Sequence, residues 1–415
     1  MANVRPFKAI RPVEDKAAHI AALPYDVYNR QEAKEEIERE PESFLKIDRA
    51  ETQFPDSVDT YDPCVYERAR ETMEEMIKDG HFVKDEKDSC YLYELTMDGR
   101  VQTGIVACAS IDDYDNEVIR KHENTRAEKE QDRIHHVDTL DAQTGPIFLA
   151  YHDNATLADI IKEAKKKDSV YDFVSPDEIR HRVWVMDEDA IVEKIKEEFT
   201  KIPCLYIADG HHRCASAVKV GKKRRQQNPA YTGEEEFNYF LSVLFQESEL
   251  KIFDYNRVVK DLNGYSMEDF LAKIQDCFVV ENQGKEAYSP KKKGEFGMYL
   301  DGNWYCLQIK DQFKSEDSVE GLDVSLLQKY LLDPVLGIKD PKIDARIDFV
   351  GGIRGLSELE RRVNTDCLVA FSMYPTAISE LFAVADDHKL MPPKSTWFEP
   401  KLRSGLFIHK LTEEK

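Results

Sequence analysis

Two hydrophobic periods take turns along the chain. From Val65 the apolar positions Val65, Ala69, Met73, Met76 and Ile77 fall on one face of a helix, and Gly80 is placed to cap its end. Residues 91–96 and 103–108 are short β-rich runs, and Asp98-Gly99 between them predicts a hairpin turn. Leu157, Ile160, Ile161 and Ala164 make the next helical stripe, with Thr156 as its cap and Lys165 to Lys167 suited to its negative end. A strand over 182–186, a helix carrying Ile191, Val192, Ile195 and Phe199, and buried strands over 204–208 and 239–245 follow.

Towards the termini the signal weakens. Residues 21–27 predict an extended segment entering a turn, and 31–40 a polar helix halted by Pro41. Beyond 250, helices are expected near 324–336 and 376–386 and strands near 298–309 and 366–372. The polar stretch 221–236 reads as a loop, its Lys222–Arg225 run a solvated face. The predicted fold class is α+β, with domains over 1–104, 105–250 and 251–415.

Composition narrows the class. The 415 residues carry 41% hydrophobic content, enough for two or three domains with cores of their own. A formal net charge of −22 argues against binding nucleic acid through its phosphates, although a local basic pocket for a small anion is compatible with it. The eight cysteines form no CxxC pair and sit mostly in apolar runs, as reduced thiols do in a cytoplasmic protein. No apolar run is long enough for a membrane span and no signal-peptide core is present, so a soluble, cytoplasmic protein without a membrane partner is expected.

Candidate chemistry concentrates where the 204–208 strand stops at Asp209-Gly210-His211-His212-Arg213 and a helix-like run begins. A strand ending at a helix start collects free backbone N–H groups and the positive end of a helix dipole. A phosphate or carboxylate there would also receive a guanidinium contact from Arg213. A second group, His122-Glu123-Asn124-Thr125-Arg126, precedes a polar helix containing Arg133 and His136, and Glu123 beside His122 and Arg126 suits a general base. Five of the 11 histidines (122, 135, 136, 211 and 212) lie in these regions, but without the His-Glu-x-x-His spacing of a zinc helix. Magnesium held by few carboxylates and by substrate phosphates fits better and leaves little trace in a sequence. Lys394-Ser395-Thr396 resembles the end of a phosphate loop without its glycines, offering Lys394 and Ser395 to an anion, and Arg257 is a weaker candidate.

In chain order, residues 118–123, Leu140, residues 145–147 and residues 207–213 resemble the ParB/sulfiredoxin-like superfamily, nearest to its free L-serine kinases. The segments 22–27, 237–239, 255–258, 351–352 and 391–405 resemble a long prokaryotic family built around the same core. The resemblance implies a ParB/sulfiredoxin-like core flanked by N- and C-terminal α+β domains, and a kinase that makes O-phosphoserine from free L-serine with magnesium. The donor is ATP, ADP or pyrophosphate. Glu123 would activate the hydroxyl, and Asp209 would lie near it or the magnesium, with His211 completing the catalytic set. Gly210, His212 and Arg213 would face the phosphates, and His122, Thr125 and Arg126 the substrate. Two departures from the compact kinases stand out: 58 positions (204 − 146) separate Pro146 from Cys204, and two further domains are present. The competing expectations are a ParB-like nucleotidase or nuclease in the same pocket and a nucleotide-gated binding protein without phosphotransfer.

Overall fold

Parallel pairing of a short edge strand with its neighbour fixes the place where the chemistry gathers. The structure, a computed structural model, describes residues 1–412. It contains two compact units: residues 1–250 with the C-terminal residues from Pro400 onward, and residues 251–399.

The first unit is built on a nine-stranded mixed sheet. Its strands run in the order Ile119–Arg120, Leu205–Asp209, Ile147–Tyr151, Tyr239–Gln246, Arg100–Ser110, Cys90–Met97, Arg180–Met186 and Tyr171–Val174, with Val4–Arg5 added on Arg100–Ser110. The central strand Tyr239–Gln246 is buried at every position, which is why it reads as a continuous apolar run. The predicted hairpin forms: Asp98 and Gly99 both take positive φ, as the turn that matches strand twist requires. The expected boundary at 104/105 falls inside the strand Arg100–Ser110, which pairs with Cys90–Met97 on one side and Tyr239–Gln246 on the other. Residues on both sides of that boundary therefore share one sheet.

The helices Ala155–Ala164 and Asp189–Phe199 turn their predicted apolar stripes into the core with Ile105, Leu149, Ile207 and Leu244. The cap of the first is the Asn154 side chain, which accepts from the Leu157 N–H, so capping falls two residues before Thr156. A second core joins Phe44, Leu45, Val65, Ala69, Met73 and Leu140 to Ile408. The C-terminal segment returns to reach it, bridging Ala22 to Ser404 and Ile10 to Ile408, and pairing His409 with Gln143.

The expected loop over 221–236 begins as helix. His211–Gln227 is continuous, and the basic run is its polar face, paired with acids: Lys222 with Asp115 at 2.7 Å, Lys223 with Asp138 at 2.6 Å and Arg225 with Asp112 at 2.6 Å.

The second unit is a six-stranded antiparallel sheet ordered Phe278–Gly284, Asn303–Ile309, Glu295–Leu300, Val369–Met373, Tyr255–Val259 and Ile347–Gly351. The run expected as one strand near 298–309 is a hairpin, reversed at Asp301-Gly302 where both φ are positive. Helices Met267–Ile274 and Gly355–Thr365 escaped the pattern reading, and the expected 324–336 helix is a short helix Asp323–Leu327 running into a π-turn over Gln328–Leu332. Among the described residues no helix is long and apolar enough to cross a membrane.

Candidate functional site

The strand Ile119–Arg120 lies parallel to Leu205–Asp209, with Ile119 opposite Leu205 and Arg120 opposite Tyr206. That register is an offset of 86 residues (205 − 119). Two segments separated by most of a sheet in sequence thus leave the sheet side by side, one carrying Glu123 and the other the Asp209–Arg213 junction.

At the junction the chain makes a sharp turn. Gly210 has φ +91°, and a Cβ there would stand 3.1 Å from the Arg213 guanidinium. Glycine is needed on both counts: for the left-handed backbone and for the close approach of Arg213 folded back over it. Arg213 then donates to the Pro146 carbonyl at 2.6 Å, tying the junction to the Gly145-Pro146 segment. The helix His211–Gln227 starts immediately, leaving its first N–H groups without intrahelical partners.

The residues expected to act together meet here. His211 Nδ1 is 4.0 Å from a Glu123 carboxylate oxygen, and Glu123 is half exposed while His211 is buried. The His122 and His211 rings meet edge to face with centroids 4.5 Å apart. Burial lowers the His122 pKa to about 4 against the nearby Asp209 charge and a backbone hydrogen bond to Ile207. Burial, then the neighbouring His122, holds His211 well below its ordinary value. Both rings are neutral at pH 7. His122 Nδ1 and His211 Nε2 are buried without a hydrogen-bond partner among the described residues.

His212 plays a different part: its Nε2 accepts the Arg126 backbone N–H at 2.9 Å and pins the 121–126 loop to the helix start. The Thr125 hydroxyl donates to Glu130 at 2.8 Å, and Glu130 in turn pairs with Lys219.

Asp209 carries the junction's negative charge. One oxygen accepts the Gly210 N–H at 2.8 Å and the other faces Lys401 Nζ at 3.1 Å. Burial pushes its pKa up, but Lys401 and Arg213 outweigh burial and hold the carboxyl well below the usual carboxylate range. Lys401 was not singled out from the sequence. It lies 192 positions from Asp209 on the returning C-terminal segment, and no local pattern marks it.

Lys394, Ser395 and Arg257 belong to the second unit. There the Ser395 hydroxyl donates to the Pro392 carbonyl at 2.6 Å, the buried Arg257 donates to the Lys394 carbonyl at 2.9 Å, and the Lys394 ammonium lies 5.3 Å from the Tyr255 ring centroid.

Among the described residues no group of three or more His, Cys, Asp or Glu side chains is placed to hold a metal ion. Asp209 offers a hard carboxylate of the kind magnesium takes when most of its shell is water and substrate phosphate. The donor set therefore fits a phosphate-borne magnesium ion and lacks the cage of a structural metal.

The protein family described as "Protein of unknown function (DUF1015)" matches residues 4–325, and the chain belongs to that family. No curated protein matches the chain. Among solved structures, a free serine kinase in complex with AMP is 12% identical, with a TM-score of 0.35 over 72% of this chain and 91% of that one. A conserved hypothetical protein from Pyrococcus furiosus is 13% identical, with a TM-score of 0.34 over 73% and 94%. C-terminally truncated SbnI from Staphylococcus aureus is 10% identical, with a TM-score of 0.37 over 72% and 87%. Likeness at this level carries no argument about activity.

Proposed function

We propose that this member of the DUF1015 family is a small-molecule phosphotransferase, moving a phosphoryl group from a phosphate donor to the hydroxyl of free L-serine. One observation carries the reading: a half-exposed carboxylate, Glu123, stands 4.0 Å from His211 at a helix start whose preceding Asp209 is flanked by Lys401 and Arg213. A base for an alcohol and a cationic, N–H-rich seat for phosphates are the two things such a transfer needs, since it is mainly positioning and charge neutralisation.

In this reading Glu123 accepts the proton of the acceptor hydroxyl as its oxygen attacks phosphorus. The bond from phosphorus to the donor's bridging oxygen breaks, and the leaving phosphate keeps that electron pair. Arg213, Lys401 and the N–H groups at the helix start offset the charge that builds on the phosphate oxygens. His211, neutral and buried, orients Glu123 and has Nε2 available for a phosphate oxygen. His212 holds the loop through Nε2. We assign His122, Thr125 and Arg126 to the acceptor side of the same loop. Asp209 would hold a magnesium ion brought with the donor, which supplies further neutralisation of phosphate charge. The choice of serine rests on the resemblance of the 118–123, 145–147 and 207–213 segments to free L-serine kinases.

The test is direct. Purified protein is incubated with L-serine, magnesium and, in turn, ATP, ADP or pyrophosphate, and O-phosphoserine is sought by mass spectrometry. Product is expected with at least one donor. Glu123→Gln should lower turnover by about 10²-fold or more while donor binding persists. A folded sample that makes no product with any donor overturns the proposal.

A further inference from the structure

The first unit holds a second polar enclosure that the phosphoryl site leaves unused. Between the helices Leu45–Asp48, Pro63–Lys78 and Ala127–Leu140 lies a cavity of about 150 Å³, lined among others by Tyr25, Asp48, Tyr66, Asp132, Arg133 and His136. A smaller cavity of about 30 Å³ shares Tyr25, Asp48, Arg133 and His136 with it, and its other wall includes Thr144, Arg213 and Ser404. Arg213 is the residue folded over Gly210 at the junction, so one guanidinium borders both the phosphate seat and this enclosure.

The lining is costly for an interior. Asp48, Asp132, Arg133 and His136 are each no more than 7% exposed. Buried charges weaken a fold unless fully paired, and well-packed apolar residues would serve packing better. The pairing is orderly: Arg133 meets Asp132 at 2.9 Å, the Tyr66 hydroxyl donates to Asp132 at 3.0 Å, the Thr144 hydroxyl donates to Asp48 at 3.2 Å, and His136 Nε2 donates to the Ile47 carbonyl at 3.2 Å. One group is left over. Tyr25 is 8% exposed, lines both cavities and packs its ring 4.0 Å from the Arg133 guanidinium carbon, yet its hydroxyl makes no hydrogen bond among the described residues. Tyr25 belongs to the 22–27 segment, whose chemistry the sequence left unassigned.

Size and charge limit what enters. The space is well below the roughly 300 Å³ at which pockets for larger organic ligands begin, so a nucleotide is excluded and a small molecule is favoured. In the cavity of about 150 Å³ the formal charges balance, with Asp48, Glu51 and Asp132 negative and Arg49, Lys129 and Arg133 positive, while Arg213 borders only the smaller one. A balanced ring of fixed charges suits a zwitterion better than a simple anion or cation.

We propose that this enclosure is the acceptor pocket and that it takes a free α-amino acid as its zwitterion. The ligand's carboxylate lies against Arg133 and the Tyr25 hydroxyl, its ammonium lies against Asp48, and its side chain points towards Arg213. The role of the amino acid as phosphoryl acceptor rests on the phosphotransfer reading; its binding does not.

The experiment is calorimetric titration of the full chain with L-serine in the absence of donor, alongside glycerate, which lacks the ammonium, and ethanolamine, which lacks the carboxylate. L-Serine should bind, and both analogues should bind at least tenfold more weakly. Tyr25→Phe removes only an unpartnered hydroxyl, so it should fold and weaken L-serine about tenfold. Arg133→Gln should weaken it further, while ADP or pyrophosphate binding stays unchanged in both variants. Should Arg133→Gln fail to fold, Tyr25→Phe and the analogues still decide. Absence of L-serine binding to the folded protein, equal binding of either analogue, or unchanged affinity in Tyr25→Phe overturns the inference. Selective L-serine binding without O-phosphoserine from any donor would sink the phosphotransfer reading and leave the pocket standing. Phosphoserine formation with an unchanged KM in Tyr25→Phe would do the reverse.

Discussion

Lys401 and Asp209 are the pair on which the phosphate seat turns. With Lys401 at 3.1 Å and Arg213 near, the Asp209 carboxyl stays ionised far into acid. Replacing Lys401 by Met removes the larger of the two charges that oppose burial, so the Asp209 pKa should rise towards the ordinary range and donor affinity should fall about tenfold. A donor titration at two salt concentrations checks this, because a lost cation also flattens the salt dependence. Unchanged affinity and salt response would remove Lys401 from the site. At this scale legibility followed contiguity. Asp209 to Arg213 stand together in sequence and declared themselves as an anion site. Glu123 looked like one acid in a charged loop, and its importance rested on the resemblance. Lys401 is delivered by the fold from 192 positions away, and Tyr25, in a turn, meets Arg133, on a helix, only in the folded chain.

Elements decide how tightly the junction is held. Gly210 sits between a strand with four buried residues and a 17-residue helix, in a left-handed conformation and under the Arg213 guanidinium. Gly210→Ala should cost about 1–2 kcal/mol of stability from backbone strain and should also displace Arg213. Donor affinity should therefore fall by more than the same substitution at Gly233, where φ is also positive but nothing lies within 4 Å. Thermal unfolding and donor titration of the two variants make the comparison; equal effects would show that Arg213 does not depend on the close approach. The helix itself was only half legible. Its start was marked by the junction, but from Lys222 onwards the polar run lacks an apolar stripe and reads as loop. What keeps it helical is ion pairing with Asp112, Asp115 and Asp138, partners about a hundred residues upstream. The second unit shows the same limit: a hairpin turning at Asp301-Gly302 was merged into one strand because apolar residues continue on both sides of the turn.

At the scale of the whole molecule the two units should answer acid in opposite directions. The first unit buries His122, His136 and His181, whose pKa values burial lowers to about 4, about 4 and about 3. A histidine depressed in the folded state contributes stability that is present above its ordinary value near 6.5 and lost as pH falls towards the folded value. Between pH 6.5 and 5 each should remove on the order of 2 kcal/mol. Asp113, raised by burial to about 6, offsets part of that in the same unit. The second unit contains no buried histidine. Its buried Asp323 is pushed up by burial to about 7, despite accepting the Gly294 N–H at 2.9 Å. A raised carboxyl contributes stability that is fully present below its ordinary value of 3.8 and is lost as pH rises through 7, so this unit should gain about 2 kcal/mol from pH 7 to 5. Amide hydrogen exchange resolved by peptide, corrected for intrinsic rates, reads both units in one sample. Core amides of residues 90–110 and 239–246 should lose protection over that interval while those of 295–309 keep or gain it. A parallel loss in both units would mean that the buried histidines and Asp323 do not control the acid response.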